Sequence, residues 1–145
     1  MDEQAEEKEI KGDEGCRLDV YLDTRGNPTV GIGHLVTPED NLQVGDVITQ
    51  EQCDAFFRQD LHTAIEGCVK APGIPFLHQP EAVQEALVDM AFNTGLHGLA
   101  GFTGFLGLIK QGDYNAAADD LLSTKVAEEL PERYARIADQ IRSAA

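Results

Sequence analysis

At 145 residues, with 42% hydrophobic and 26% charged side chains, the chain is long enough to bury a core and too apolar to stay disordered. A formal net charge of −15, from 26 acidic against 11 basic side chains, excludes nucleic acid as a partner, because phosphate binding depends on clustered Lys and Arg. No apolar run reaches the roughly 18 residues of a membrane span, and the acidic start Met1-Asp-Glu-Gln-Ala-Glu-Glu-Lys-Glu9 has neither the basic region nor the apolar stretch of a secretory signal. Synthesis in a cytoplasm without a signal peptide is therefore expected. The three cysteines, Cys16, Cys53 and Cys68, form no C-x-x-C or Cys/His cluster. They read as small thiols of a reducing compartment, with no metal site.

Residues 1–12 have helix-forming composition but little apolar face beyond Ala5 and Ile10, so an N-terminal helix is expected to dock only near its end. Glu14-Gly15 marks a helix terminus. Leu18, Val20 and Leu22 then alternate as a strand, Arg25-Gly-Asn-Pro28 turns, and Thr29-Val-Gly-Ile32 returns. Leu35 to Val47 reads as loop. Thr49-Gln-Glu-Gln52 is a capping box. The three-and-four spacing of Cys53, Phe56, Phe57, Leu61, Ala64, Ile65, Cys68 and Val69 predicts a helix over residues 50–70.

Ala71-Pro-Gly73 ends that helix. A second is predicted over residues 81–94, with Val83, Leu87, Met90, Ala91 and Thr94 inward and Gly95 as its stop. The glycines at 95, 98, 101, 104 and 107 read as a flexible bend. Thr103 is the expected cap of a helix through Leu106 and Ile109, Gly112-Asp113 breaks and caps the next, and Pro131 opens a last helix carrying Tyr134, Ile137 and Ile141. The fold class is α+β and mainly helical: a hairpin lobe over about 13–48, a connecting helix over about 49–70, and a helical lobe over about 71–145 with the 1–12 helix.

The chemistry concentrates in residues 14–34. Glu14 and Asp23 are two carboxylates on a helix end and a hairpin, with the Thr29 hydroxyl close behind. Glycosidic cleavage uses such parts: one acid protonates the leaving oxygen, and a second carboxylate attacks the sugar or activates a water. In a chain with 26 acidic residues, a capped helix followed by an ordinary acidic hairpin reads as well.

The full string E-G-x-R-L-x-x-Y-x-D-T-x-G-x-x-T-x-G-I-G-H-L, running from Glu14 to Leu35, resembles the signature of the phage-type, T-even phage-like lysozymes of glycoside hydrolase family 24. The resemblance implies a lysozyme-like fold and an inverting muramidase that cuts the β-1,4 bond between N-acetylmuramic acid and N-acetylglucosamine. It makes Glu14 the general acid, and Asp23 and Thr29 the holders of the attacking water, with no metal or organic cofactor. For inversion the two carboxyls should lie roughly 6.5–9.5 Å apart. Leu35 becomes a substrate contact. So does Phe92, in the matching segment Met90-Ala-Phe-Asn-Thr-Gly95, although Phe92 reads equally as core.

The resemblance also pairs His34 with Asp60 of Phe57-Arg-Gln-Asp60, which would raise the histidine pKa. It places Arg133, in the Pro131-Glu-Arg133 pattern, near the catalytic glutamate. The family tryptophan is absent, and Phe105 and Asp120 stand where related enzymes carry sugar-contacting polar residues. The implied partner is the glycan strand of peptidoglycan, met as a monomer at the bacterial wall after release through a holin-type lesion or carriage in a phage particle. A non-catalytic wall-binding or tail-structural module on the same fold is the alternative. Because the wall is polyanionic, the strong negative charge predicts that moderate salt assists the enzyme.

Overall fold

Local sequence rules position most of the elements in the structure, a computed structural model that describes residues 9–12 and 14–145. Most of the expected N-terminal helix lies outside the described residues. Residues 9–12 and 14 are helical, and Gly15, at φ +70, ends the turn with its N–H donating to Lys11 O at 3.0 Å. Three antiparallel strands follow in the order β1 (Arg17–Leu22), β2 (Pro28–Gly31) and β3 (His34–Leu35). Tyr21 pairs with Thr29 and Leu22 with Pro28, while Thr29 and Val30 pair on the other side with Leu35 and His34. The third strand is an addition to the predicted hairpin. At two residues it is too short for any alternation to announce it.

The stretch read as loop after Leu35 contains a 3-10 turn at Pro38–Asp40. Its far end lies along β1: Gly45 N donates to Val20 O, Val20 N to Asp46 O and Ile48 N to Leu18 O. Helix α1 (Gln50–Lys70) starts at the reciprocal capping box, with Thr49 N bonded to Gln52 Oε1 at 2.8 Å and Gln52 N to Thr49 Oγ1 at 3.1 Å. Cys53, Phe57, Leu61, Ala64 and Cys68 of its predicted face are buried, but Val69 is exposed, one position before the helix ends.

Helix α2 (Glu81–Ala100) is interrupted at Gly95, whose φ of 79 and ψ of 160 are open to glycine and to almost nothing else. The predicted stop is therefore a real break, yet the chain resumes helix afterwards where a flexible bend was expected. Helix α3 (Thr103–Gln111) has Phe102 at its cap position and Thr103 as its first residue, so the expected Thr103 cap is not made. Gly112, in the left-handed region, ends α3, and Asp113 caps α4 (Tyr114–Leu122) through Ala116 N. Thr124 caps a further short helix, α5 (Lys125–Glu129), in the stretch where the family resemblance thins. Pro131 opens α6 (Pro131–Arg142), which buries Tyr134, Ile137 and Ile141.

The chain divides into two compact units, one holding the described residues up to Thr63 and the other Ala64–Ala145. Val20, Val30, Ile32, Ile48 and Phe57 are buried in the first. Leu87, Met90, Leu99, Phe105, Ile109, Leu121, Tyr134 and Ile137 are buried in the second. The architecture is mainly helical α+β with one small antiparallel sheet. Among the described residues, no helix is long and apolar enough to cross a membrane.

Candidate active site

Glu14 stands on the last helical residue before β1, half-buried, where Gly15 turns the chain. Its carboxylate lies against the backbone of Gly33: a β-carbon at position 33 would come within 3.2 Å of Glu14 Oε2. Gly33 also sits at φ +68, a conformation that favours glycine, and any side chain there would push the Glu14 carboxylate aside. The G-I-G run thus leaves a slot for one carboxylate.

Asp23 opens the β1–β2 turn and is folded onto its own backbone. Its Oδ1 accepts hydrogen bonds from Arg25 N and Asn27 N, each at 2.8 Å, and its own N–H donates to Asn27 O at 2.9 Å. The N–H of Asn27 first, with that of Arg25 adding and burial opposing, holds the carboxyl below its ordinary pKa. Asp23 is therefore an ionised, fixed acceptor at neutral pH. Thr29, only 4% exposed, donates its Oγ1 hydrogen to Asn27 O at 2.9 Å. With that hydrogen committed, its oxygen meets any further partner as an acceptor. The backbone of Asn27, which sequence reasoning passed over as a turn residue, joins the two.

His34 is buried between two acids. Nδ1 is 2.7 Å from Asp60 Oδ2, Nε2 is 2.8 Å from Asp40 Oδ2, and the ring stacks on Phe56 at 4.1 Å between centroids. Burial, the largest single influence, favours the neutral ring, but the bonds to Asp60 and Asp40 together outweigh it and raise the pKa. Burial likewise works to raise the Asp40 pKa. The Thr37 N–H and His34 overcome it, and the Asp40 carboxyl is held low. Asp40 was not anticipated, being one acid among several in an apparent loop.

Leu35, paired with Thr29 across the sheet, is 55% exposed. Phe92 lies half-buried on α2, three residues before the Gly95 break. Arg133 is 7% exposed and donates Nε and Nη2 to Asp89 Oδ1 at 2.9 and 2.7 Å, while Arg136 donates to Asp89 Oδ2 at 2.8 Å. The fully buried Asp89, like Asn27 and Asp40, is not disclosed by the sequence. No group of three or more metal-ligating side chains occurs among the described residues.

The family model for phage lysozyme matches residues 11–134, a span that includes Glu14, Asp23, Thr29, His34, Leu35, Asp60, Phe92 and Arg133. The chain belongs to the phage lysozyme family. Among its relatives is the endolysin of Salmonella phage P22, 35% identical over 127 residues covering 85% of this chain and 82% of the endolysin. An endolysin of Acyrthosiphon pisum secondary endosymbiont phage 1 is 35% identical over 122 residues, 82% of this chain and 76% of that protein. The pre-baseplate central spike protein Gp5 of Enterobacteria phage T4 is 32% identical over 128 residues, 74% of this chain but 22% of the spike protein. Family membership and the two endolysins make this lysozyme a glycosidase, a hydrolase of peptidoglycan.

Proposed function

We propose that this lysozyme hydrolyses the β-1,4 bond between N-acetylmuramic acid and N-acetylglucosamine with inversion at the anomeric carbon. Glu14 acts as general acid, giving its proton to the leaving glycosidic oxygen. Asp23 and Thr29 hold the attacking water. The observation that carries this reading is the committed hydroxyl hydrogen of Thr29 beside a low-pKa Asp23 fixed by Asn27. A water between them donates one hydrogen to the carboxylate and the other to Thr29 Oγ1, so its lone pair is left for the sugar; as its C–O bond forms and the bond to the leaving oxygen breaks, the proton the water sheds passes by way of Asp23 to solvent, from which Glu14 is reprotonated. A carboxylate held low in pKa is a weak base but a persistent anion. That suits orienting water and stabilising positive charge on the sugar.

Leu35 offers an exposed apolar contact to the sugar next to Thr29, and Phe92 is a second proposed substrate contact. His34 with Asp60 and Asp40, and Arg133 with Asp89, serve as supporting structure. The chain would act on the wall as an endolysin does.

The test follows the anomer first released from purified peptidoglycan oligosaccharides by NMR, together with reducing-end formation. The α-anomer should appear first. Glu14→Gln should lower kcat roughly 10²–10⁴-fold, the range of general acid catalysis, without unfolding the protein. First release of the β-anomer would refute inversion, and an undiminished rate in Glu14→Gln would remove Glu14 from the reaction.

A further inference from the structure

Cys16 and Cys53 have no part in the hydrolytic reading, yet their sulfurs lie 3.0 Å apart. Both are free thiols, Cys16 exposed and Cys53 buried. The approach is built into the fold. Cys16 immediately precedes β1, whose Arg17 pairs with Gly31 of β2. Cys53 lies in the first turn of α1, its N–H bonded to Thr49 O at 3.0 Å. Gly31 lets that turn close on the sheet: a β-carbon there would sit 3.2 Å from Cys53 Sγ and 3.7 Å from its Cα. The strand register places one sulfur, and the glycine admits the other.

We propose that Cys16 and Cys53 form a redox-responsive staple, closing into a disulfide when the protein meets a low-molecular-weight disulfide such as oxidised glutathione. The exposed Cys16 thiolate attacks one sulfur of RS–SR, forming a Cys16–SR bond and expelling RS⁻, which takes up the proton that Cys16 has shed. Cys53 then loses its proton to solvent and attacks the Cys16 sulfur. The Cys16–SR bond breaks, the Cys16–Cys53 bond forms, and the second RS⁻ leaves and is protonated. Two protein thiols are oxidised by two electrons, and RSSR is reduced to two RSH.

Burial, followed by the hydrogen bond to Cys16, pushes the Cys53 thiol up to about 12. Cys16 is thus the thiol that reacts first, and Cys53 the one that resolves. A wall hydrolase passes from a reducing cytoplasm to a compartment where disulfides persist, which is where such a staple would close. The cross-link would join residues 37 apart in sequence, enclosing Asp23, Thr29 and His34 in one covalent loop and tying the residue two past Glu14 to the start of α1.

The experiment incubates the full chain with reduced and then oxidised glutathione and reads intact mass, free thiols, a non-reducing peptide map and the thermal midpoint. Oxidation should remove the mass of two hydrogen atoms, lower the titratable thiols from three to one, and link the Cys16 and Cys53 peptides. The thermal midpoint should rise by roughly 5–10 °C, as expected of a loop of this length. Cys16→Ser, a change at an exposed position, should abolish the cross-link and the shift. Cys68→Ser should preserve both, because Cys68 Sγ lies instead near Leu87 O at 3.9 Å. A glutathione adduct on Cys16 as the end product, a disulfide-linked dimer, a bridge through Cys68, or an unchanged mass would each overturn the proposal.

Discussion

Among the described residues, each unit of the lysozyme sets a buried ionisable side chain between two groups of the opposite kind, and the two arrangements are reversed in sign. In the sheet-bearing unit His34, a cation when its ring is protonated, sits between Asp40 and Asp60; in the helical unit an acid, Asp89, sits between Arg133 and Arg136. The difference is in which partner can give up its charge. A guanidinium stays protonated throughout the working pH range, whereas an imidazole does not. The helical centre is therefore vulnerable to removal of a partner, and the histidine centre to pH.

The raised pKa of His34 means that its stabilisation is complete below the unfolded value near 6.5 and is lost as pH rises through the folded value. The lowered pKa of Asp40 means the reverse on the acid side: its stabilisation is present above about 3.9 and is lost as pH falls through the folded value. The histidine centre is strongest between about pH 4 and 6.5.

Arg133→Met should have the largest effect. Leaving a buried carboxylate short of its main partner should cost about 3–5 kcal/mol in urea unfolding, by nearly the same amount at mildly acidic and mildly alkaline pH. A cost below 1 kcal/mol would mean that Asp89 is not held as an ion. His34→Asn should cost about 1.5–3 kcal/mol at mildly acidic pH, in line with hydrogen bonds to charged groups. The cost should shrink as pH is raised, and one that stayed constant would erase the contrast between the centres.

Thr49→Ala supplies the uncharged baseline, about 1 kcal/mol from loss of an N-cap at any pH. The smallest effect concerns the surface. Moderate salt should raise the initial rate on whole wall by screening repulsion from a chain of net charge −15, while leaving unfolding nearly unchanged. A rate falling steadily from near-zero salt would contradict it.

What the sequence disclosed follows the range of the interactions involved. The Thr49–Gln52 box, the Asp113 cap, the Pro131 start and the Gly95 break are decided within four residues, and all were legible. The reciprocal bonds of the box are present as drawn. Asp60 was reached only through a family pattern, since twenty-six residues separate it from His34. Asp40 is just six residues from His34 but was hidden among other acids and a proline.

Asp89 lies inside the run Ala86-Leu-Val-Asp-Met-Ala91, on the side of the helix away from the predicted inward face of Val83, Leu87, Met90, Ala91 and Thr94, so the helical period does not announce its burial and nothing local names its partners. Those are forty-four and forty-seven residues away. Of the candidate catalytic groups the residue types were readable. The feature that gives Thr29 its acceptor character, the Asn27 carbonyl, belongs to the backbone and leaves no mark on the side-chain pattern.

The strip of chain from Gly45 to Ile48 has a bearing on solubility. By bonding along the outer side of β1 it occupies the amide and carbonyl row on which a second molecule could otherwise extend the sheet, and the opposite margin, β3, is only two residues long. Such margins are where cross-chain pairing and aggregation begin. A loop deletion that removed residues 43–48 would uncover β1, the longest strand among the described residues, and the shortened chain should precipitate during refolding at concentrations the full chain tolerates.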